Sequence, residues 1–228
     1  METQAADLVR QMVTGCQILS DQGLVEGFGH LSARLPDGRI LMTPRKALGL
    51  VRPEELVTLD LSGQVVRGTR PALEVAMHLA VYRARPEVQA IARTHSRACA
   101  VLGVLGWPVR AVHGFGCHLG PVVPVYDEVG LVHDRAAGEA VAAALGQHAA
   151  LLLRGNGTLV TAPSLIEAVM RAIWLEEAAA IQVAAHSAGG QPRYFTPAEV
   201  TRRLAQDRAD EPHRAWAFYA ALAAGEVL

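Results

Sequence analysis

The stretch Thr69–Ala100 reads TRPALEVAMHLAVYRARPEVQAIARTHSRACA, and it predicts a helix followed by a buried strand. Pro71 suits the first turn of a helix, where its missing N–H leaves no bond unmade. Behind it, apolar residues recur at the spacing of one helix face: Leu73, Met77 and Val81. The helix ends at Arg85-Pro86, because the residue before a proline disfavours helical backbone. The apolar residues 88–92 then predict a short strand.

Four polar residues of this stretch are placed to act together. Glu74 and His78 are one helical turn apart. Arg93 and His95 end the predicted strand, and the alternation of strand side chains points both to one face. A carboxylate that faces a basic pair could serve an acid/base site, although an isolated glutamate on a helix is more often simply solvated.

The order of these residues resembles the class II aldolase/adducin family. That family has Lys-Pro-Ser-Ser-Glu before a helix, a variant of Tyr-x-x-Arg-Pro-Asp at the helix end, and a strand that closes on His-x-His. The present chain has Arg-Pro-Ala-Leu-Glu at 70–74, Tyr-Arg-Ala-Arg-Pro-Glu at 82–87 and Arg-Thr-His at 93–95. The resemblance runs from about residue 5 to residue 186, and it implies that Glu74 is the acid/base.

The resemblance also implies the fold. It is a three-layer α/β/α domain with a mainly antiparallel central sheet, whereas strand–helix alternation alone would indicate a parallel, doubly wound sheet. We expect a single domain over residues 1–228, with a helical extension over about 190–228. The family commonly assembles as a tetramer with sites between neighbours, so a homo-oligomer is implied here.

Periodicity and turn residues predict the other elements. Further helices are expected over 3–22, 96–105, 131–145, about 164–186 and about 212–223. The turn signal Pro36-Asp37-Gly38 predicts a hairpin that pairs residues 28–34 with 39–43.

The resemblance places the family's three metal-binding histidines on Arg93, His95 and Asn156. His95 is thus the only retained ligand position. A catalytic metal needs about three good protein ligands, and a guanidinium cannot be one because it stays protonated. We therefore predict no cofactor. The alternative is zinc, manganese or iron held by histidines rearranged around the pocket: His30, His95, His113 and His118.

Substrate-binding candidates lie on either side of the central stretch. By resemblance they are His30, Ser32, Thr43, Arg45, His113 and His118. His30 replaces a family asparagine that helps to bind phosphate or carboxylate, and Arg45 could clamp a carboxylate in a bidentate way. His113 and His118 lie in a glycine-rich segment expected to reach over a site. Ala72 and Leu73 stand where phosphate-binding serines are found in sugar-phosphate aldolases, which favours a carboxylated substrate, aromatic or polyketide-like, without phosphate.

Composition argues against several classes of function and of site. The net charge is −1 with no basic block, which argues against a nucleic-acid partner. Hydrophobic residues make up 51% of the 228, yet no apolar run approaches the roughly 20 residues that span a membrane. The first residues lack a signal-peptide pattern, so we expect a cytoplasmic protein. The three cysteines show no CxxC spacing and predict neither a disulfide framework nor a thiolate zinc site.

Together these features predict a lyase-like enzyme, namely a decarboxylase, retro-aldolase, dehydratase or isomerase. Glu74, with His95 or His30, would move the proton, while Arg93 in place of the metal, and Asn156, would hold a substrate carboxylate or stabilise an oxyanion. Two alternatives stay open. One is a non-catalytic, adducin-like binding or assembly domain, and the other is a metal-dependent aldolase or decarboxylase.

Overall fold

The computed structural model describes residues 2–206 and 210–226. Its helices are α1 (Glu2–Asp21), α2 (Val75–Ala84), α3 (Arg97–Val104), α4 (Arg135–Leu145), α5 (Leu165–Ser187), α6 (Pro197–Leu204) and α7 (Glu211–Ala223). Its strands are β1 (His30–Arg34), β2 (Ile40–Met42), β3 (Val57–Leu59), β4 (Val65–Arg67), β5 (Ala90–Thr94), β6 (Val109–Arg110), β7 (Val122–Val123), β8 (Val125–Tyr126), β9 (Ala150–Leu153) and β10 (Gly157–Ala162). Short 3-10 turns cover Leu48–Leu50, Pro53–Glu55 and Phe115–Leu119.

The central sheet has the strand order β4-β3-β2-β1-β5-β10-β9-β8 within the described residues. Every neighbouring pair in it is antiparallel except β8 with β9. The mainly antiparallel sheet implied by the resemblance is therefore confirmed, and the parallel sheet suggested by alternation alone is wrong. Strands β6 and β7 form a separate small pair.

Helices cover both faces of this sheet. On β5, Ala90 and Ala92 belong to the core with α1, α3 and α5, whereas Ile91 belongs to the core with α2 and α4. This alternation is what a strand buried on both faces requires. Complete burial of one such large apolar side chain contributes about 2 kcal/mol. The alternate residues of β5 thus contact helices on both faces of the sheet, which gives the three layers.

The first turn of α2 differs from the prediction. The helix begins at Val75, because Pro71 is engaged in a bridge with Pro44 and the chain turns at residues 72–74. Glu74 therefore occupies the N-cap position, with φ −88° and ψ 30°. A carboxylate at a helix N-terminus is favoured by the helix dipole.

Helix α4 also begins later than predicted, at Arg135 rather than at residue 131. Asp134 caps the helix, since its carboxylate accepts a hydrogen bond from the Ala137 N–H at 2.9 Å. Residues 131–133 consequently lie outside the helix, and the Val132 N–H donates to Oε1 of Glu74 at 3.3 Å. This short segment joins the site although it is distant in sequence.

The C-terminal part of the chain packs on its own core. Thr196 and Glu199 form a capping box at the start of α6. Helix α7 lies against α1 and α5, with Trp216 and Tyr219 partly buried there. Residues 207–209 and 227–228 of the expected extension lie outside the described residues.

None of the helices between residues 2 and 206 or between 210 and 226 is long and apolar enough to cross a membrane.

Candidate functional site

One cleft gathers residues from distant parts of the chain. Its volume is 590 Å³, and five of the predicted site residues line it: Glu74, His95, Asn156, His30 and Arg45. It lies where α2 begins, where β5 ends and where β9 turns into β10. The structure thus brings the proposed acid/base and several candidate binding groups into one cavity.

Glu74 is nearly buried in the wall of this cleft, with 6% of its surface exposed. Its Oε2 lies 3.4 Å from Nε2 of His30 and 3.3 Å from Nε of Arg93. Burial alone would raise the pKa of Glu74, but the hydrogen bond from His30 and the charge of Arg93 outweigh it and lower the pKa to about 2. The carboxylate is therefore ionised at neutral pH and can accept a proton.

Arg93 lies directly behind Glu74 and is completely buried. Strand pairing places it opposite His30 on β1, so both side chains point to the α2 face. Its Nη1 donates to the Thr94 carbonyl oxygen at 2.6 Å, while Nε and Nη2 have no hydrogen-bond partner among the described residues. Burial lowers the pKa of Arg93 and Glu74 opposes that shift. The guanidinium remains charged. It is therefore a fixed positive charge, and its Nε and Nη2 groups can still donate hydrogen bonds. It does not line the cleft itself.

His95 and Asn156 form the opposite wall. His95 follows the last residue of β5, and Asn156 lies in the turn before β10. Burial and the Arg93 charge lower the pKa of His95 to about 4, which leaves the ring neutral at physiological pH. The Phe28 ring meets the His95 ring edge-on, with their centroids 6.3 Å apart. A neutral imidazole and an amide can both donate to an oxyanion and accept from a hydroxyl.

Ser32 and Thr43 are near the site but do not line the cleft. Both are completely buried. The Ser32 hydroxyl lies 2.6 Å from Nδ1 of His78, and Thr43 Oγ1 accepts from the Leu31 N–H across the hairpin at 3.1 Å. The prediction that these two bind substrate is corrected, because β1 and β2 direct them into the interior.

His113 and His118 are elsewhere in the chain. His113 Nδ1 lies 4.0 Å from Glu177, and His118 bonds Glu211 at 3.1 Å and packs on the Trp174 ring. The glycine-rich segment forms a 3-10 turn that docks on α5 instead of a mobile loop. The structure therefore does not bring these two histidines to the cleft of their own chain, and a contribution to the cleft of a neighbouring subunit, where the family places active-site residues from this region, stays a prediction.

The donor set does not fit the divalent metal that the resemblance implies. Among residues 2–206 and 210–226, no group of three or more His, Cys, Asp or Glu side chains could hold a metal ion. At the three expected ligand positions, Arg93 places a buried guanidinium against Glu74, Asn156 offers an amide, and His95 alone is a good ligand. A cation at that place would meet the Arg93 charge. The rearranged set fails as well, since His113 and His118 are remote from His30 and His95.

The cleft also contains residues that the sequence did not suggest as site residues. Phe28, Lys46 and Leu131 line it. Behind it, His78 and Tyr82 from α2 meet His30 and Ser32 from β1. The sequence had already paired His78 with Glu74, and one further signal could have revealed the rest of this second group. His78 and Tyr82 are four residues apart and so lie on one face of the helix. His30 and Ser32 are two residues apart and so lie on one face of the strand. Both pairs stand among apolar residues.

Comparisons with known proteins agree with the fold. Residues 10–183 match the class II aldolase and adducin N-terminal domain. A 3,4-dihydroxyphthalate decarboxylase from Terrabacter sp. is 30% identical over 197 residues, which cover 79% of this chain and 82% of that protein. A 3-oxo-tetronate 4-phosphate decarboxylase from Haemophilus influenzae is 33% identical over 183 residues, covering 77% of this chain and 85% of that protein. A solved L-fuculose 1-phosphate aldolase superposes with a TM-score of 0.81 at 25% identity, covering 88% of this chain and 95% of that one. These matches confirm the resemblance seen in the sequence. The chain therefore belongs to the class II aldolase and adducin family.

Proposed function

We propose that the protein is a lyase that breaks a carbon–carbon bond in a small carboxylated, non-phosphorylated substrate, with Glu74 as acid/base and Arg93 in place of a metal. The observation that carries the proposal is the buried pair in which Arg93 Nε lies 3.3 Å from Oε2 of the cleft residue Glu74. Relatives that are decarboxylases and aldolases support a lyase.

The reaction needs one proton transfer and one stabilised anion. Glu74 takes the proton of a substrate hydroxyl, the carbon–carbon bond breaks, and its electron pair rests on an enolate-type oxyanion. In decarboxylation of a hydroxylated aromatic acid, the proton held by Glu74 first passes to the ring carbon that bears the carboxylate, which makes a ring ketone. Carbon dioxide then leaves, and the electron pair of the broken bond goes to the ketone oxygen as a phenolate. The oxyanion then takes a proton from solvent. In the retro-aldol version the leaving fragment is an aldehyde or ketone, and the same proton returns to the enolate carbon.

Arg93 supplies the positive charge that favours this anion. Because the guanidinium is buried, its field is screened far less than it would be in water. His95 and Asn156 line the cleft and can donate to the oxygen directly. Dehydration and isomerisation would use the same base and the same oxyanion stabilisation, and they are the alternative reactions if no carbon–carbon bond is broken.

The walls of the cleft favour a flat carboxylated substrate. Ala72 and Leu73 present apolar surface where hydroxyl donors to a phosphate would be needed. Phe28 is 77% exposed at the cleft and offers a ring for stacking. Arg45 is exposed at the rim and can bind a carboxylate. A hydroxylated aromatic acid fits all three features. The dihydroxyphthalate in the names of two decarboxylase relatives is an acid of this class.

We also propose a homo-oligomer, with a tetramer expected from the family resemblance. Apolar side chains cluster on the outer surface at the end of α3: Val101, Val104, Leu105 and Trp107. Exposed apolar patches of this kind mark interaction surfaces. Light scattering on the purified chain measures the assembly directly.

The test is turnover on a panel of hydroxylated aromatic acids and hydroxy- or keto-acids, followed by carbon dioxide release and by carbonyl formation. We expect at least one substrate to be turned over by the natural chain and not by the Glu74→Gln variant, with circular dichroism showing that both proteins are folded at the assay temperature. Equal rates for both proteins would overturn the proposal. Turnover that appears only after addition of zinc, manganese or iron would favour the metal-dependent alternative.

A further inference from the structure

A row of polar side chains runs from Glu74 into the interior of the protein. Nε2 of His30 lies 3.4 Å from Oε2 of Glu74, and Nδ1 of His30 lies 2.7 Å from Nε2 of His78. Nδ1 of His78 lies 2.6 Å from the Ser32 hydroxyl, which lies 2.9 Å from the Tyr82 hydroxyl. His78 and Ser32 have no exposed surface. The row thus crosses from the cleft wall to the buried interface between β1 and α2.

The direction of these hydrogen bonds is fixed from the Glu74 end. An ionised carboxylate only accepts hydrogen bonds, so Nε2 of His30 carries the proton and donates. A neutral His30 then presents a bare Nδ1, which must accept from the Nε2–H of His78. The bare Nδ1 of His78 accepts in turn from the Ser32 O–H. The Ser32 oxygen is left to accept from Tyr82.

Both imidazoles are neutral in this row. Burial lowers the pKa of His78 well below its usual value, and the nearby His30 and the Arg93 charge add to that shift. Burial likewise lowers the pKa of His30, against the opposing effect of Glu74. A second proton on His30 would turn its Nδ1 into a donor, so that His78 would have to change tautomer and donate to Ser32 from Nδ1. Each neutral ring therefore has one tautomer that satisfies all its partners.

We infer that His78 and Ser32 are positioning residues, which hold the His30 ring in place as a hydrogen-bond donor to Glu74. This inference rests on the proposed role of Glu74 as the base. The Glu74 carboxylate sets the Nε2-protonated form of His30. His78 then fills the acceptor on Nδ1 of His30, and Ser32 fills the acceptor on Nδ1 of His78. Tyr82 only completes the row by filling the acceptor of Ser32. With His30 and Arg93 on Oε2, the base is held in one orientation before the substrate arrives.

The ring tautomers can be observed directly in the complete chain without any substrate. Two-bond proton–nitrogen correlation spectra of protein with ¹⁵N-labelled histidine distinguish the Nε2–H form, the Nδ1–H form and the imidazolium. Loss of a signal in His30→Asn and His78→Gln variants assigns the two rings. We expect both rings to be Nε2–H forms at neutral pH. An Nδ1–H form or an imidazolium at either ring would overturn the inference.

A matched pair of variants tests the role of Ser32. Ser32→Ala removes the donor to Nδ1 of His78, so we expect the ¹⁵N resonance of that nitrogen to shift while both rings keep the Nε2–H form. Tyr82→Phe removes the next hydroxyl but keeps the ring beneath Arg34, and it should leave both tautomers unchanged. An unchanged His78 spectrum in folded Ser32→Ala, or a changed one in Tyr82→Phe, would contradict the assignment. If Ser32→Ala does not fold, the spectra of the natural chain and of Tyr82→Phe still decide.

Turnover separates this inference from the proposed function. His78→Leu cannot donate to His30, whereas His78→Gln keeps an amide donor near the Nε2 position. We expect His78→Leu to lower kcat by about 10- to 100-fold with KM within about twofold, and His78→Gln to restore most of kcat. Equal loss in both variants would overturn the inference. If both rings show the Nε2–H form but no turnover depends on Glu74, only the proposed function is refuted. If turnover depends on Glu74 but either ring shows another form, only the inference is refuted.

Discussion

Arg93 Nε lies 3.3 Å from Oε2 of Glu74, and the Arg93 side chain has no exposed surface. Breaking a buried pair of this kind leaves an uncompensated charge, which costs several kcal/mol, about 3–5. The arrangement is therefore stable only as a pair. It also keeps the carboxylate ionised in a place where burial alone would favour the neutral acid. The carboxylate is therefore in the form that accepts a proton at neutral pH, and its lowered pKa makes it a weaker base than a free glutamate.

The pair predicts a specific loss of stability in acid. The folded-state pKa of Glu74 is about 2, below the ordinary value of 4.5. Its contribution is therefore complete above pH 4.5 and is lost as the pH falls towards 2. After allowance for solvent screening, we expect the natural chain to lose up to about 2 kcal/mol more than Glu74→Gln between pH 6 and pH 3. Urea unfolding at both pH values measures this difference.

A control for that prediction is Glu54→Gln, which alters an exposed carboxylate in the middle of the Pro53–Glu55 turn. We expect it to follow the natural chain at both pH values. If Glu74→Gln and the natural chain lose the same free energy of unfolding between pH 6 and pH 3, the ionised pair makes no contribution to stability.

Rebuilding the family's ligand set should create a metal site. The double variant Arg93→His, Asn156→His would place three imidazoles where the resemblance puts the metal ligands, and it would remove the opposing charge. We expect it to bind one zinc ion per chain, because three nitrogen ligands and an open position suit zinc. Calorimetric titration with zinc measures the stoichiometry. Adding His95→Ala should abolish the binding, and retention of zinc in that triple variant would place the ion elsewhere.

Arg45 should affect substrate binding more than chemistry. Its side chain is exposed at the rim of the cleft, so a carboxylate bound there remains partly solvated. We expect Arg45→Gln to raise KM for a carboxylated substrate by about 3- to 10-fold with kcat nearly unchanged. Arg52→Gln, an exposed arginine that does not line the cleft, is the matched control. A loss confined to kcat would argue against a binding role for Arg45.

Gly157 holds the wall of the cleft close to β5. Its φ is +88°, and an added Cβ would collide with the carbonyl oxygen of Thr94 and lie 3.0 Å from Nη1 of Arg93. We expect Gly157→Ala to lower the free energy of unfolding by about 3 kcal/mol or more. Gly155→Ala has a similar φ of +67° but open space, and it should cost only about 1–2 kcal/mol. Equal losses in thermal or urea unfolding would show that the close approach does not matter.

The sequence predicted most of the fold and part of the site. Apolar periodicity gave α1, α3 and α5 to within a few residues, and the turn Pro36-Asp37-Gly38 gave the β1–β2 hairpin. The direction of the strands came from the family resemblance, because a buried strand has the same apolar pattern in a parallel or an antiparallel sheet.

The remaining errors have physical causes that lie outside local pattern. Pro71 has the chemistry of a helix start, but its bridge to Pro44 delays α2 to Val75. His113 and His118 stand in a glycine-rich segment that resembles a mobile loop, yet packing on α5 fixes it. Long-range contacts of this kind are absent from any local stretch of sequence. The roles of Glu74, Arg93, His95 and Asn156 in catalysis stay predictions.

The metal content of the natural chain tests the central claim most directly. The protein is purified without chelator, and zinc, manganese and iron per chain are measured by plasma mass spectrometry, before and after incubation with each metal. Glu74-dependent turnover is followed in the same samples. We predict turnover that is independent of added metal in protein that holds far less than one ion per chain. Near-stoichiometric metal, with turnover that disappears on chelation and returns on re-addition, would contradict the account and assign the chemistry of the cleft to a bound ion.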